Sequence, residues 1–463
     1  MDGLNTSSTS EISGDQKKST TVADPEDYHA SHLYGFVEQK TDTDLPDYFT
    51  PWSDLAHQTE SLVQEGTLRK HVQKLRLLDH SRLSSPSELK TALVYLTCIT
   101  YGYVWCEGED GIPQVLPACL AVPYAAVAEK LQVPPSISQF SFILLNWKLK
   151  DPQGKVELDN MESIVNLRGG KDESWFYCTT VQVELDFAPA LSSIIEAQKA
   201  VLDGSSRRLV KHLRTIEGAV HKMRHSLSRM SEGCRPHVFF NVFRPYIAGW
   251  DSKPFKKKNL KGLIYEGVSK EPFNFTGLSA AQSSTLPCLD AAFGVVHKEK
   301  EDKSRRFFQD YMPKPHRDLI EAIASGPSIK DYIHSSDSPE ALETYNDCLQ
   351  AMKSFRDSHL QIVTRFIITM AHQKTGTGSS SEGATGTGGT DLMSFLKGLR
   401  DSTLRAMLRT TREGGGGDST ERVVPMATPP RWLKGDVKRA LQVTLVFVAA
   451  AAGTMLVMRK FSR

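Results

Sequence analysis

The chain of 463 residues has no dominant charge. Lys and Arg number 56 against 54 Asp and Glu, for a formal net charge of +2, so no electrostatic draw toward nucleic acid follows and none is expected as a partner. Cysteine is sparse. Cys98, Cys106, Cys119, Cys178, Cys234, Cys288 and Cys348 are odd in number and none form a C-x-x-C pair, so neither a disulfide framework nor a structural zinc site is expected. Reduced thiols fit a cytosol-facing body. Met1 to Ser19 has no apolar run of the kind that marks a secretory signal. Strand-like alternation is scarce, no H-E-x-x-H occurs, and no G-K-[ST] follows the glycine-rich stretches.

What is present reads as globular and helical. Hydrophobic residues make up 40% and charged residues 24%, an ordinary soluble balance. The length predicts two domains plus tails. Residues 1–25 read as a disordered tail. A small helical domain is expected over 26–130 and a large one over 131–411, an all-α fold. Amphipathic segments are expected at Thr67–Leu78 and Glu88–Tyr103, with a turn-rich stretch over Gly108–Pro117. Longer helices are expected over Ala188–Val201, Ser206–Met230, Pro236–Ala248 and Pro339–His372. Ser338 is a natural N-cap for the last of these, Pro339 suits its first position and Glu340 the positive end of its dipole. Residues 374–389 form a glycine-rich stretch that reads as a lid. A helix is then expected from Thr390-Asp391-Leu392 through Leu404. Residues 412–434 read as a flexible linker.

Residues 438–458 include the uncharged run Ala440–Met458 with basic residues on both sides. Nineteen residues at a helical rise reach about 28 Å, close to a bilayer core. The expectation is a C-terminal transmembrane helix that tail-anchors a cytosol-facing body in a lipid bilayer, at the mitochondrial outer membrane or the endoplasmic reticulum.

Among fourteen histidines, most lie in polar surroundings and read as solvated, including His29, His32, His57, His71, His80, His297 and His334. His221 and His225 have metal-pair spacing but sit on a basic helix face. His359 differs, because it fills the next position of the apolar stripe Leu342, Tyr345, Leu349, Met352, Phe355, Ile362, Val363. An imidazole there is either a satisfied core side chain or a ligand to iron. Arg244 follows Phe239, Phe240 and Phe243. It reads either as an anion clamp, for instance for a substrate carboxylate, or as half of a structural Arg–Asp bridge. Ser174–Thr180 is an aromatic cluster with small polar neighbours. Leu278–Ser284 is a small-residue stretch that is either a loop or a seat for a flat cofactor.

Many ordered strings, among them CITYGYVW (98–105), FFNVFRPYIAGW (239–250), SAAQSS (279–284), SHLQIV (358–363) and GTGGTDLMSFLK (386–397), together resemble indoleamine 2,3-dioxygenase across nearly the whole body. The resemblance implies a two-domain all-α fold with haem b in the larger domain. It implies His359 as iron ligand and Arg244 on the tryptophan carboxylate. Phe239 would pack on the indole and Phe176 on the distal side, with Ser279 and Ala280 beside the indole and Thr387 and Gly388 at its amino-acid end. Expected partners are L-tryptophan or a related indoleamine, O2 and an electron donor that keeps the iron ferrous, with the protein monomeric. The implied reaction opens the indole C2–C3 bond to N-formylkynurenine, the first step of the kynurenine pathway. Thr180 replaces a distal serine, Gln139 a tyrosine, Phe142 a cysteine and Leu278 a glycine. These changes put indole affinity in question more than reaction type. A haem or O2-binding protein of the same fold, with weak or different indole activity, is the other reading.

Overall fold

Ser85 accepts the Glu88 N–H at 3.1 Å, and Glu88 reaches back to the Ser85 N–H. This reciprocal cap starts the helix Pro86–Trp105. Ser205, Ser328, Ser338 and Asp391 cap four other helices by the same chemistry. In this computed structural model the described residues are 21–38, 44–375 and 391–409, all within the compact unit Met1–Arg409. Residues 410–463 lie outside the described residues.

The helices that place the site are α1 (Thr50–Gln64), α2 (Pro86–Trp105), α3 (Ala118–Lys130), α4 (Gly170–Leu202), α5 (Ser206–Ser228), α6 (Thr285–Ala292), α7 (Glu299–Gln309), α8 (Lys314–Ser325), α9 (Ile329–Ser335), α10 (Pro339–Val363) and α11 (Leu392–Arg405). Four two-residue strands join them: β1 (Val115–Leu116), β2 (Lys148–Leu149), β3 (Met161–Glu162) and β4 (Ile264–Tyr265). β1 pairs in parallel with β4 and β2 antiparallel with β3. The fold is therefore mostly, not purely, helical.

The apolar residues divide between two principal clusters. One gathers α1–α3 with the Trp147, Trp250 and Tyr265 region. The other gathers α4, α5, α6, α8 and α10. Within the second, α5 lies along both α4 and α10, and α11 packs on α10.

The expected architecture ended in a transmembrane helix, and this is corrected. Among the described residues no helix is long and apolar enough to cross a membrane, and residues 438–458 lie outside the described residues. Other expectations shift for local reasons. The helix expected at Ala188 begins at Gly170 and runs on through Pro189. Asp172 and Glu173 favour its N-terminus. The Glu173 carboxylate accepts the N–H groups of Leu167, Arg168 and Gly169 and the Tyr177 hydroxyl. The single helix expected over Pro236–Ala248 is replaced by an α-turn at Pro236–Val238, a π-helical turn at Phe239–Phe243 and a 3-10 turn at Arg244–Ile247. Pro245 has no N–H and its ring crowds the preceding turn, which disfavours continuing the α-helix there. The Thr67–Leu78 segment is helical only over Leu68–Val72. The helices expected from Pro339 and from Leu392 form where expected, the first with a π-helical turn at Thr364–Ile368 before it resumes. A third π-helical turn covers Phe140–Leu144.

Candidate functional site

One apolar cavity with about 1370 Å³ of open space lies between α4, α5, α10 and α11. α4 contributes Phe176, Thr180 and Glu184, α5 Met223 and Leu227, α10 Phe355, His359 and Ile362, and α11 Leu392, Phe395 and Leu396. The loop Leu278–Ala281 closes another side.

That loop is held in place by close backbone approach. Leu278 N–H donates to Ile247 O at 3.0 Å and Trp250 N–H to Phe275 O at 2.8 Å. A Cβ on Gly249 would lie 2.3 Å from Gly277 N, and one on Gly277 would lie 2.5 Å from Ile247 O, so both positions need glycine. Ser279 then caps the 3-10 turn Ala280–Gln282, and Gln282 Oε1 accepts the N–H of both Ser279 and Gln139.

The three π-helical turns converge here. Gln139 immediately precedes the first, Phe239 opens the second, and Phe366 and Ile367 belong to the third; all four line the cavity. Inserted turns of this kind often mark functional sites. Phe239 stands between Phe176, at 5.2 Å, and Phe366, at 5.7 Å between ring centroids, spacings of favourable aromatic contact.

The structure thus brings together Gln139, Phe176, Thr180, Phe239, Leu278, Ser279, Ala280 and His359. Phe142 does not line the cavity; it is fully buried behind it, edge-on to Tyr177 at 5.5 Å. Arg244 is also not part of the lining. Its guanidinium lies 5.3 Å over the Phe240 ring, and burial pushes its pKa down to about 10. Thr387 and Gly388 lie outside the described residues.

His359 has the properties of a ligand. Burial, and then the neighbouring Arg356 charge, push its imidazole down to about 4, so it is neutral near pH 7. No hydrogen bond to its ring is found among the described residues, and it faces an apolar, aromatic-walled space beside the small side chains of Ala280 and Ala281. A neutral imidazole, a wide cavity and a small-residue wall fit a flat iron porphyrin held through iron. No cluster of three metal-ligating side chains occurs among the described residues; His359 is the residue that would hold such a group. Thr180 Oγ1 donates to Phe176 O at 2.9 Å, so its proton is already engaged.

Two buried networks were not legible in the sequence. Glu184, pushed upward by burial, accepts Gln139 Nε2 at 3.2 Å, Ser283 Oγ at 2.5 Å and the Thr285 hydroxyl. Behind His359, Arg356 donates twice to Asp290, at 2.9 and 2.8 Å, and also to Thr403. His297 Nε2 lies 2.8 Å from the same carboxylate. Burial raises Asp290, but the charges and hydrogen bonds of Arg356 and His297 bring it below the usual range. His297 therefore corrects the expectation of a solvated side chain. Only the Arg356 spacing, one turn before His359, was available as a signal.

The family model for indoleamine 2,3-dioxygenase matches residues 24–406. The chain is 36% identical to indoleamine 2,3-dioxygenase 2 of Homo sapiens over 390 residues, covering 83% of this chain and 95% of that protein. It is 35% identical to indoleamine 2,3-dioxygenase 1 of Rattus norvegicus over 391 residues, with the same coverage, 83% and 95%. It is also 31% identical to a myoglobin of Haliotis madaka over 380 residues, covering 81% and 97%.

Proposed function

The chain belongs to the indoleamine 2,3-dioxygenase family, and on that premise we propose that it inserts both atoms of O2 across the indole C2–C3 bond of L-tryptophan, giving N-formylkynurenine. The observation that carries this reading is the neutral His359 imidazole set in a single apolar cavity with Phe176, Phe239, Ser279 and Ala280. His359 would hold haem b. When bound, that group supplies the ferrous iron that activates O2.

The remaining work falls to side chains. Phe239 and Phe176 offer flat apolar faces to the indole. Arg244, next in the chain to the Phe239–Phe243 turn, binds the substrate carboxylate and so orients the ring. Thr180, with its proton committed to Phe176 O, is not placed to donate that proton to substrate. The apolar lining excludes water. Leu278 narrows the loop side, and Gln139 with Glu184 adds a polar edge, so indoles with a polar substituent are favoured more than an apolar wall would allow.

A second reading, a haem protein that binds O2 without efficient turnover, is supported by the similarity to the Haliotis protein named myoglobin. One experiment separates the two. The protein is reconstituted with haem and reduced, and near-ultraviolet absorbance of N-formylkynurenine is followed with L-tryptophan. Rising absorbance supports the dioxygenase. A normal haem spectrum without product rejects it in favour of the second reading.

A further inference from the structure

We propose that a basic recess formed by Lys298, Lys330, Arg405 and His297 binds a phosphate-class oxyanion. The recess holds about 590 Å³ of open space and shares no lining residue with the apolar cavity. It does not depend on the dioxygenase reading.

The lining carries three cations and no carboxylate. Lys298 and Lys330 have no ion-pair partner among the described residues, and Arg405 donates to Ser402 Oγ at 2.6 Å. Cations within α7 and α11 are paired, Arg305 with Asp302 and Arg400 with Asp401. Cations gathered without a counter-charge repel one another, and an anion between them relieves that repulsion. Two ammonium groups and a planar guanidinium suit phosphate oxygens in particular.

Backbone shape contributes. Gly294 has φ +57°, and a Cβ there would lie 3.2 Å from Lys330 Cδ, so the bare glycine lets the lysine stem run along the wall. Behind it lies His297, whose side chain is 1% exposed. Its Nε2 is committed to Asp290, while its buried Nδ1 has no hydrogen-bond partner among the described residues. Buried polar atoms are rarely left so. A hydrogen phosphate carries both an O–H donor and acceptor oxygens, so it can satisfy such a nitrogen in either protonation state.

The recess is mechanically joined to the main cavity. α11 supplies Ser402 and Arg405 to the recess and Leu392, Phe395 and Leu396 to the cavity wall. Arg356 on α10 holds both Thr403 of α11 and Asp290, the partner of His297. An anion in the recess thus fastens the last turn of α11 to the segment before α7 and to α9, and stabilises one wall of the cavity.

The test is thermal unfolding of the full chain in inorganic phosphate, against sodium chloride at matched ionic strength. A saturable rise in Tm of about 2–4 °C is expected at phosphate well above its Kd. The K298A/K330A double variant is expected to keep its Tm in chloride, because both side chains are solvent-accessible and unpaired, and to lose the rise. An equal rise in chloride, or an equal phosphate effect in the variant, would overturn the site. Glycerol phosphate separates a phosphomonoester site from one for the free ion. A saturable shift with either supports the proposal, and a shift with neither rejects it.

Discussion

Gln139 donates from Nε2 to Glu184 Oε1 over 3.2 Å, and both side chains line a mostly apolar cavity. The carboxylate also takes the Ser283 and Thr285 hydroxyls. Glu184→Leu strands three buried donors at once. Each costs about 1–3 kcal/mol when left unmade, so a loss of at least that size is expected in urea unfolding. Glu184→Gln keeps an acceptor and is expected to lose less. Equal stability of the Leu variant and the parent would show that the donors find other partners.

His359→Ala is expected to abolish the Soret band after reconstitution with haem while leaving the helical circular dichroism in place, since α10 is buried along Tyr345, Leu349, Met352 and Phe355 independently of the imidazole. Retention of a normal Soret band would remove His359 as the iron ligand.

Arg244→Ala is expected to lower kcat/KM for L-tryptophan by about ten- to 150-fold, the equivalent of about 1.5–3 kcal/mol for a charge-assisted hydrogen bond. The effect should shrink for an indole without a carboxylate. Equal losses for both substrates would mean that Arg244 holds the aromatic turn and not the substrate.

His316 is buried against Phe36 and Phe140, and burial pushes its imidazole down to about 4. The unfolded chain titrates the same ring near ~6.5. Between those values the folded chain holds fewer protons than the unfolded one. The stabilising contribution is therefore complete above about 6.5 and is lost as pH falls toward 4. At about 1.36 kcal/mol per unit it amounts to about 3 kcal/mol. In His316→Gln, the fall in urea midpoint between pH 7 and pH 4.5 should be smaller than in the parent. Parallel curves would assign the acid limb to other groups.

How far the sequence foretells this arrangement depends on the kind of signal. Helix periodicity and caps were legible: Ser338 and Asp391 start their helices where side-chain chemistry predicts, and His359 lies in the stripe that α10 buries. The helix expected from Ala188 starts at Gly170 instead, because Glu173 caps that start and tertiary burial carries the helix across Pro189. His297 reads as solvated in the sequence because the residues after it, Lys298, Glu299 and Lys300, are charged. Its partner Asp290 lies seven residues away and Arg356 sixty-six residues from that carboxylate, separations that local pattern does not register. Phe142, a position marked by resemblance, proves to be packing behind the wall and not the wall itself.

The three π-helical turns around the cavity have a consequence for how the site can change. Each adds one residue to a helical path, and one residue is about 100° of rotation. Deleting a residue early in Phe239–Phe243 or Thr364–Ile368 would swing every later side chain of that segment to a new azimuth, carrying Phe243 out of register with Phe176 or Phe366 out of register with Phe239. A single-residue deletion in these turns is therefore expected to disturb more of the cavity wall than a single substitution there, because it re-aims several side chains at once.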